Sequence, residues 1–145
     1  MAETLGMLCD KLTIVKLKQY HVEDEERLEN LGEQASQLQG EIDIFITDAI
    51  SGRIPPDKLT FKANKVYKKE GNETRNVTGD IGNIFSELAD INCRLWHEVE
   101  KGYDIENVPV VEKDKIVKAL AVLNLERNKC IDAIDTRFSN LILAK

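Results

Sequence analysis

The chain contains two histidines, His21 and His97. Each follows an aromatic residue, Tyr20 or Trp96, and each is followed three positions later by a carboxylate, Asp24 or Glu100. Imidazole and carboxylate groups from facing helices are the donor mixture with which helical bundles hold divalent transition metals. His21, His97, Asp24 and Glu100 therefore form one candidate metal set, with a divalent ion as the cofactor. The order is the reverse of the Glu-x-x-His pattern of helical di-metal sites. The competing reading is structural: a histidine in the last turn of a helix complements the helix dipole, and the aromatic before it anchors packing. A shared site needs both histidines at one end of the molecule, and so needs their helices to run parallel.

Arg127 is the second candidate, because it interrupts an otherwise apolar helical stripe. A buried guanidinium requires a carboxylate or a ligand anion. With antiparallel neighbours Arg127 lies near the level of Glu87 and Asp90. It can then form an internal salt bridge, or bind a phosphate or carboxylate in a polar pocket with Asn124, Asn128 and Asp90. The segment from Lys58 to Arg75 carries six basic and two acidic residues. Within it Lys62, Lys65, Lys68 and Lys69, interleaved with Phe61 and Tyr67, read either as a lid over an anionic ligand or as a solvated loop. Two acid clusters, Glu25-Glu26-x-x-Glu29 and Glu87-x-x-Asp90, spell the halves of a Mg²⁺-binding signature of all-helical nucleoside triphosphate pyrophosphohydrolases, but lie far apart. There is no Gly-rich phosphate loop, nucleophile elbow or Cys/His zinc spacing. The catalytic residues, if any, are unknown from the sequence.

The elements that must carry these residues are helices. Residues 8–21 align without a gap on residues 84–97: Leu8, Leu12 and Val15 fall on Ile84, Leu88 and Ile91, Lys18 on Arg94, and Tyr20-His21 on Trp96-His97. Helix 1 is expected over 3–22, with Leu5, Leu8, Leu12 and Val15 on one face. The same phase continued would place Glu26 and Glu29 inward, whereas a new stripe starts at Leu28 and runs Leu31, Ala35, Leu38, Ile42, Phe45, Ala49. The chain must therefore turn near Glu23-Asp24, with Asp24 capping helix 2. Helix 3 is expected over 80–101, ended by Gly102. Helix 4 is expected over 112–143, with the stripe Ile116, Leu120, Leu123, Arg127, Cys130, Ile134, Phe138, Leu141. The implied fold is all-α: one domain over 1–145, a four-helix bundle of two related hairpins, 3–50 and 80–143, joined by a long basic connection, 51–79.

Composition narrows the function classes. The chain has 145 residues, 42% hydrophobic and 32% charged, with a net charge of −6. The acidity argues against nucleic acid as a partner, which needs a basic surface. No apolar stretch reaches the length of a membrane span, and no signal peptide is expected from the N-terminal residues. Cys9, Cys93 and Cys130 show no Cys-x-x-Cys spacing and read as reduced packing residues of a cytoplasmic protein. A homo-oligomer is expected from the prevalence of such assembly.

The segments Asp10-Lys-Leu-Thr-Ile, Leu95-Trp-His and Leu123-Asn-Leu-Glu-Arg-Asn-Lys-Cys-Ile-Asp-Ala-Ile-Asp135 resemble those of an uncharacterised all-helical family of bacteria and phages. The resemblance covers helices 1, 3 and 4. It implies that His21, Trp96, His97, Asn124, Arg127, Asn128 and Asp135 are motif positions. Bacterial members resemble neighbours of surface-polysaccharide genes, which implies sugar or sugar-nucleotide chemistry but no established activity. Three functions follow as expectations. The first is a binding module for a small anionic metabolite, a nucleotide or sugar phosphate. The others are a metal-dependent hydrolase of phosphate-containing metabolites, and a structural or adaptor homo-oligomer.

Overall fold

A computed structural model describes residues 2–61 and 76–144. Four α-helices are present among them and no strand: α1 (Leu5–His21), α2 (Glu25–Ser51), α3 (Ile81–Tyr103) and α4 (Val110–Leu143). Short 3₁₀ turns at Pro56–Lys58 and Ile105–Asn107 shape the connections. The fold is the expected four-helix bundle, with α1–α2 and α3–α4 as its hairpins.

The local signals explain most of the boundaries. Thr4 caps α1, its hydroxyl accepting from the Met7 N–H at 3.3 Å. The phase break after Val22 is a real turn: Val22 and Asp24 are extended, and α2 starts at Glu25. Asp24 occupies the N-cap position, but its side chain caps no backbone amide. It faces Arg27 at 3.6 Å instead. Gly52 ends α2 in the left-handed region, φ 84°, where a side chain would be strained. Gly102 does not end α3, which runs one residue further, to the exposed Tyr103; a single glycine costs a helix only about 1 kcal/mol. α4 begins at Val110, directly after Pro109, two residues before the expected start.

Contacts across the bundle give the directions. Gly6 meets Asp135 and Asp10 meets Arg127, so α1 and α4 are antiparallel. Asn92 bonds Asp10 and Thr13, and His21 stacks on Trp96, so α1 and α3 run parallel. Leu8, Ile84, Leu88, Ile91, Cys130 and Ile134 are essentially inaccessible and form the centre, which Leu59 of the connection joins. The apolar positions aligned between residues 8–21 and 84–97 thus fill one core from two adjacent helices. Phe45 and Phe138, centroids 6.1 Å apart, pack α2 onto α4. Leu141, expected on the α4 stripe, is exposed.

Gly6 sets the approach of α1 to α4. A Cβ there would lie 2.4 Å from the Ile131 carbonyl oxygen and 2.9 Å from Asp135 Oδ1. The gap left by the absent side chain lets the Gly6 N–H donate to Asp135 Oδ1 at 2.7 Å. Asp135 thereby satisfies an amide in the first turn of α1, where no intrahelical partner exists. The Thr4 hydroxyl bonds the same carboxylate.

Candidate functional site

The polar centre of the bundle is built on Asp10, which α1 places on its inward face beside Cys9 and Thr13. Arg127 of α4 binds it with both ends of the guanidinium fork: Nε donates to Oδ1 at 2.9 Å and Nη2 to Oδ2 at 2.5 Å. Asn92 of α3 donates to Asp10 Oδ1 at 2.9 Å and to Thr13 Oγ1 at 2.7 Å. The Thr13 hydroxyl in turn donates to the Asp10 carbonyl at 2.7 Å. Three helices therefore share one closed network, with side-chain exposure of 5% at Asp10 and 30% at Arg127. The bonds to Asp10 raise the Arg127 pKa, against burial, which lowers it.

Arg127 thus has a carboxylate, as its place on the stripe requires, but not the expected one. Asp90 lies on the outer face of α3 and bridges Arg94 at 3.0 Å. Spacing along the chain does not single out Asp10, Thr13 and Asn92 as Arg127's surroundings. The available signal was complementarity: Asp10 is the single acid between the buried positions Leu8, Cys9 and Thr13, just as Arg127 is the single base on the α4 stripe.

Beside this network a groove of about 590 Å³ opens between α1, α3 and α4. Ile14 and Leu17 of α1 form one wall. Leu95, Trp96 and Val99 of α3 form the floor, and Leu120 and Ala121 of α4 the other wall. Polar groups enter at Asn92, Asn124, Arg127, Glu100 and Tyr103. A mostly apolar concavity of this size with a few convergent polar groups is the usual form of a small-molecule site. Asn124 lines it; Asn128 does not, although it lies one residue from Arg127. Lys65 and Lys68, the expected lid, lie outside the described residues, as do Lys62, Tyr67 and Lys69.

The histidines meet the topological condition set by the sequence. His21 stacks face to face on Trp96, centroids 4.7 Å apart and planes 10° apart, and lies edge-on to His97 at 6.4 Å. Tyr20 packs edge-on to His21 at 5.2 Å. His97 Nδ1 approaches Glu100 Oε1 at 3.5 Å, both side chains more than half exposed. Asp24, paired with Arg27, does not complete a set with them. Among the described residues no three His, Cys, Asp or Glu side chains are arranged to hold a metal ion. That applies equally to Glu25, Glu26, Glu29, Glu87 and Asp90, the halves of the magnesium signature. What the histidine end does provide is a ring cluster adjoining the groove, since Trp96 and Glu100 belong to both.

Cys9 is buried, and its thiol is pushed up to about 12, first by burial and then by the charges of Asp135 and Asp10. It stays protonated and unreactive at neutral pH. Among the described residues no helix is long and apolar enough to cross a membrane. No protein-family model matches the chain, and no curated protein or solved structure matches it.

Proposed function

We propose that the chain is a binding module for a small metabolite, held in the groove between α1, α3 and α4. The observation that carries this reading is the groove itself: about 590 Å³ of largely apolar space set against a charged pair that the helices hold rigid. A ring or branched apolar body fits against Leu17, Leu95, Trp96, Val99 and Leu120. An acceptor on the ligand takes hydrogen bonds from Asn124 and from Arg127, whose guanidinium has five N–H donors and gives two to Asp10. The segments resembling the helical family of bacteria and phages contribute Trp96, Asn124 and Arg127 to this groove, which supports sugar or nucleoside ligands as the first classes to test.

The experiment is a calorimetric and thermal-shift survey of nucleosides, sugars, their phosphates and sugar nucleotides against the wild type, Asn124→Ala and Ala121→Phe. Both substituted positions are exposed and make no described core contact, so neither variant should lose helix content. A ligand of this site binds the wild type, binds Asn124→Ala more weakly and is blocked by Ala121→Phe. Saturation at a hundredfold excess over Kd adds about 2.7 kcal/mol of stability. A survey in which every bound compound is indifferent to both substitutions overturns the reading.

A second reading, a homo-oligomeric adaptor, draws on exposed Val110, Val111 and Val117 of α4. Light scattering on the wild type and Val111→Glu tests it: an oligomer built on this face dissociates in the variant. We take the free thiols Cys9, Cys93 and Cys130 as support for a reducing, cytoplasmic setting, and the alignment of α1 on α3 as support for a duplicated hairpin.

A further inference from the structure

Resting on the groove being a ligand site, we infer that its ligand carries an uncharged polar end, an amide, carbonyl or hydroxyl, rather than a carboxylate or phosphate. The charges decide this. Arg127 is the one cation among the described residues that line the groove. Its fork is closed on Asp10 through two bonds of 2.9 and 2.5 Å, and Asn92 adds a third donor to the same carboxylate. Asp10 is 5% exposed at its side chain. A ligand anion cannot draw the guanidinium away without leaving that carboxylate buried and unpaired, and such a charge is more costly than the new contact is favourable.

If Arg127 instead keeps Asp10 and shares its outer donors, the anion joins a second carboxylate on the same cation. Glu100, which also lines the groove, adds a further negative charge. One guanidinium then serves both Asp10 and the ligand, in a groove whose other charged lining residue, Glu100, is also an acid. An uncharged acceptor meets none of this repulsion and still receives hydrogen bonds from Arg127 and Asn124. Glu100 becomes an acceptor for a ligand N–H or O–H. The expectation drawn from Arg127 alone, an anionic ligand, changes because Asp10 has already met its charge.

A matched pair of probes isolates the point: adamantane-1-carboxamide and adamantane-1-carboxylate share one apolar body and differ at the polar end. Neither fluoresces, and Trp96, the sole tryptophan, lies in the groove and reports occupancy. The full chain is titrated with each at low and high salt, alongside Ala121→Phe as the site control and Glu100→Gln. The expected result is a carboxamide Kd at least about tenfold below that of the carboxylate, because like charges oppose the latter. The gap should narrow in high salt and in Glu100→Gln, and Ala121→Phe should abolish both responses. Equal or tighter carboxylate binding, blocked by Ala121→Phe, overturns the inference while leaving the groove a ligand site. If neither probe binds and the metabolite survey also finds no ligand blocked by Ala121→Phe, the groove is not a ligand site and the inference falls with it.

Discussion

At the scale of single residues, Asp10 and Asp135 are both buried acids of the bundle but depend on different kinds of partner. Asp10 sits in a bidentate ion pair, so truncating one partner strands the other. Arg127→Met should destabilise the chain by about 3–5 kcal/mol, whereas the double variant Asp10→Leu/Arg127→Met should recover much of that loss. Urea titration of the four members of the cycle measures this, and strictly additive single effects would show that the pair is not coupled. Asp135 takes its hydrogen bonds from neutral groups, the Thr4 hydroxyl and the Gly6 amide. Burial pushes its carboxyl up to about 6, Asp132 adds to the rise, and the Thr4 hydroxyl and Gly6 amide hold it back. The ordinary value of an aspartate, taken for the unfolded chain, is 3.8, so the native state binds the proton more tightly than the unfolded chain. The stabilisation is complete below about pH 4 and lost as pH rises through about 6. Across that window the loss is on the order of 3 kcal/mol. Asp135→Asn keeps the acceptor for Gly6 and removes the titration. Its stability relative to wild type should therefore rise between pH 4 and pH 7, as read from urea midpoints along a pH series. A constant difference between the two proteins would contradict the assignment.

At the scale of the helices, what could be read from the sequence was periodicity, and what could not was contact. The break of phase between Val22 and Leu28 located a turn that no glycine or proline marks, because a helix cannot bury Glu26 and Glu29 on its apolar face. The α2 stripe from Leu28 to Ala49 and the α3 core positions Ile84, Leu88 and Ile91 follow from the same rule. Gly102 does not mark the end of α3 because a glycine is tolerated within a last helical turn for about 1 kcal/mol. Arg127 was recognisable as a buried charge, yet its partner was not, since pairing across helices depends on their relative rotation and level. Gly6 is not legible in the sequence, because a close approach leaves no periodic trace. It is nevertheless a position where α1 has no room for a side chain. Gly6→Ala would drive a methyl against the Ile131 carbonyl and Asp135, and backbone cannot yield as a flexible side chain can. The expected loss is about 3 kcal/mol, at the upper end of overpacking, despite alanine's better helix propensity. Gly32→Ala on α2, where a Cβ meets nothing within 4 Å, should instead add about 0.5–1 kcal/mol. Thermal melts of the two variants side by side separate packing from propensity.

At the scale of the whole molecule, the two hairpins are not two folding units, because the buried polar groups of each are completed by the other. Asp10 and Thr13 belong to the first hairpin, while Arg127 and Asn92 belong to the second. Gly6 and Thr4 meet Asp135 across the same divide. A separated α3–α4 hairpin would expose Ile84, Leu88 and Ile134 and leave Arg127 without its carboxylate. The bundle should therefore unfold in one cooperative step, as single domains of this size usually do. Trp96 makes this measurable, since it stands on α3 and stacks on His21 of α1. Its fluorescence reports the separation of the hairpins, whereas far-ultraviolet circular dichroism reports the helices themselves. The two urea transitions should coincide in midpoint and slope. A tryptophan transition that precedes loss of helix would mean that the hairpins part while still folded, and that the Asp10 network is an interface between modules rather than the centre of one core.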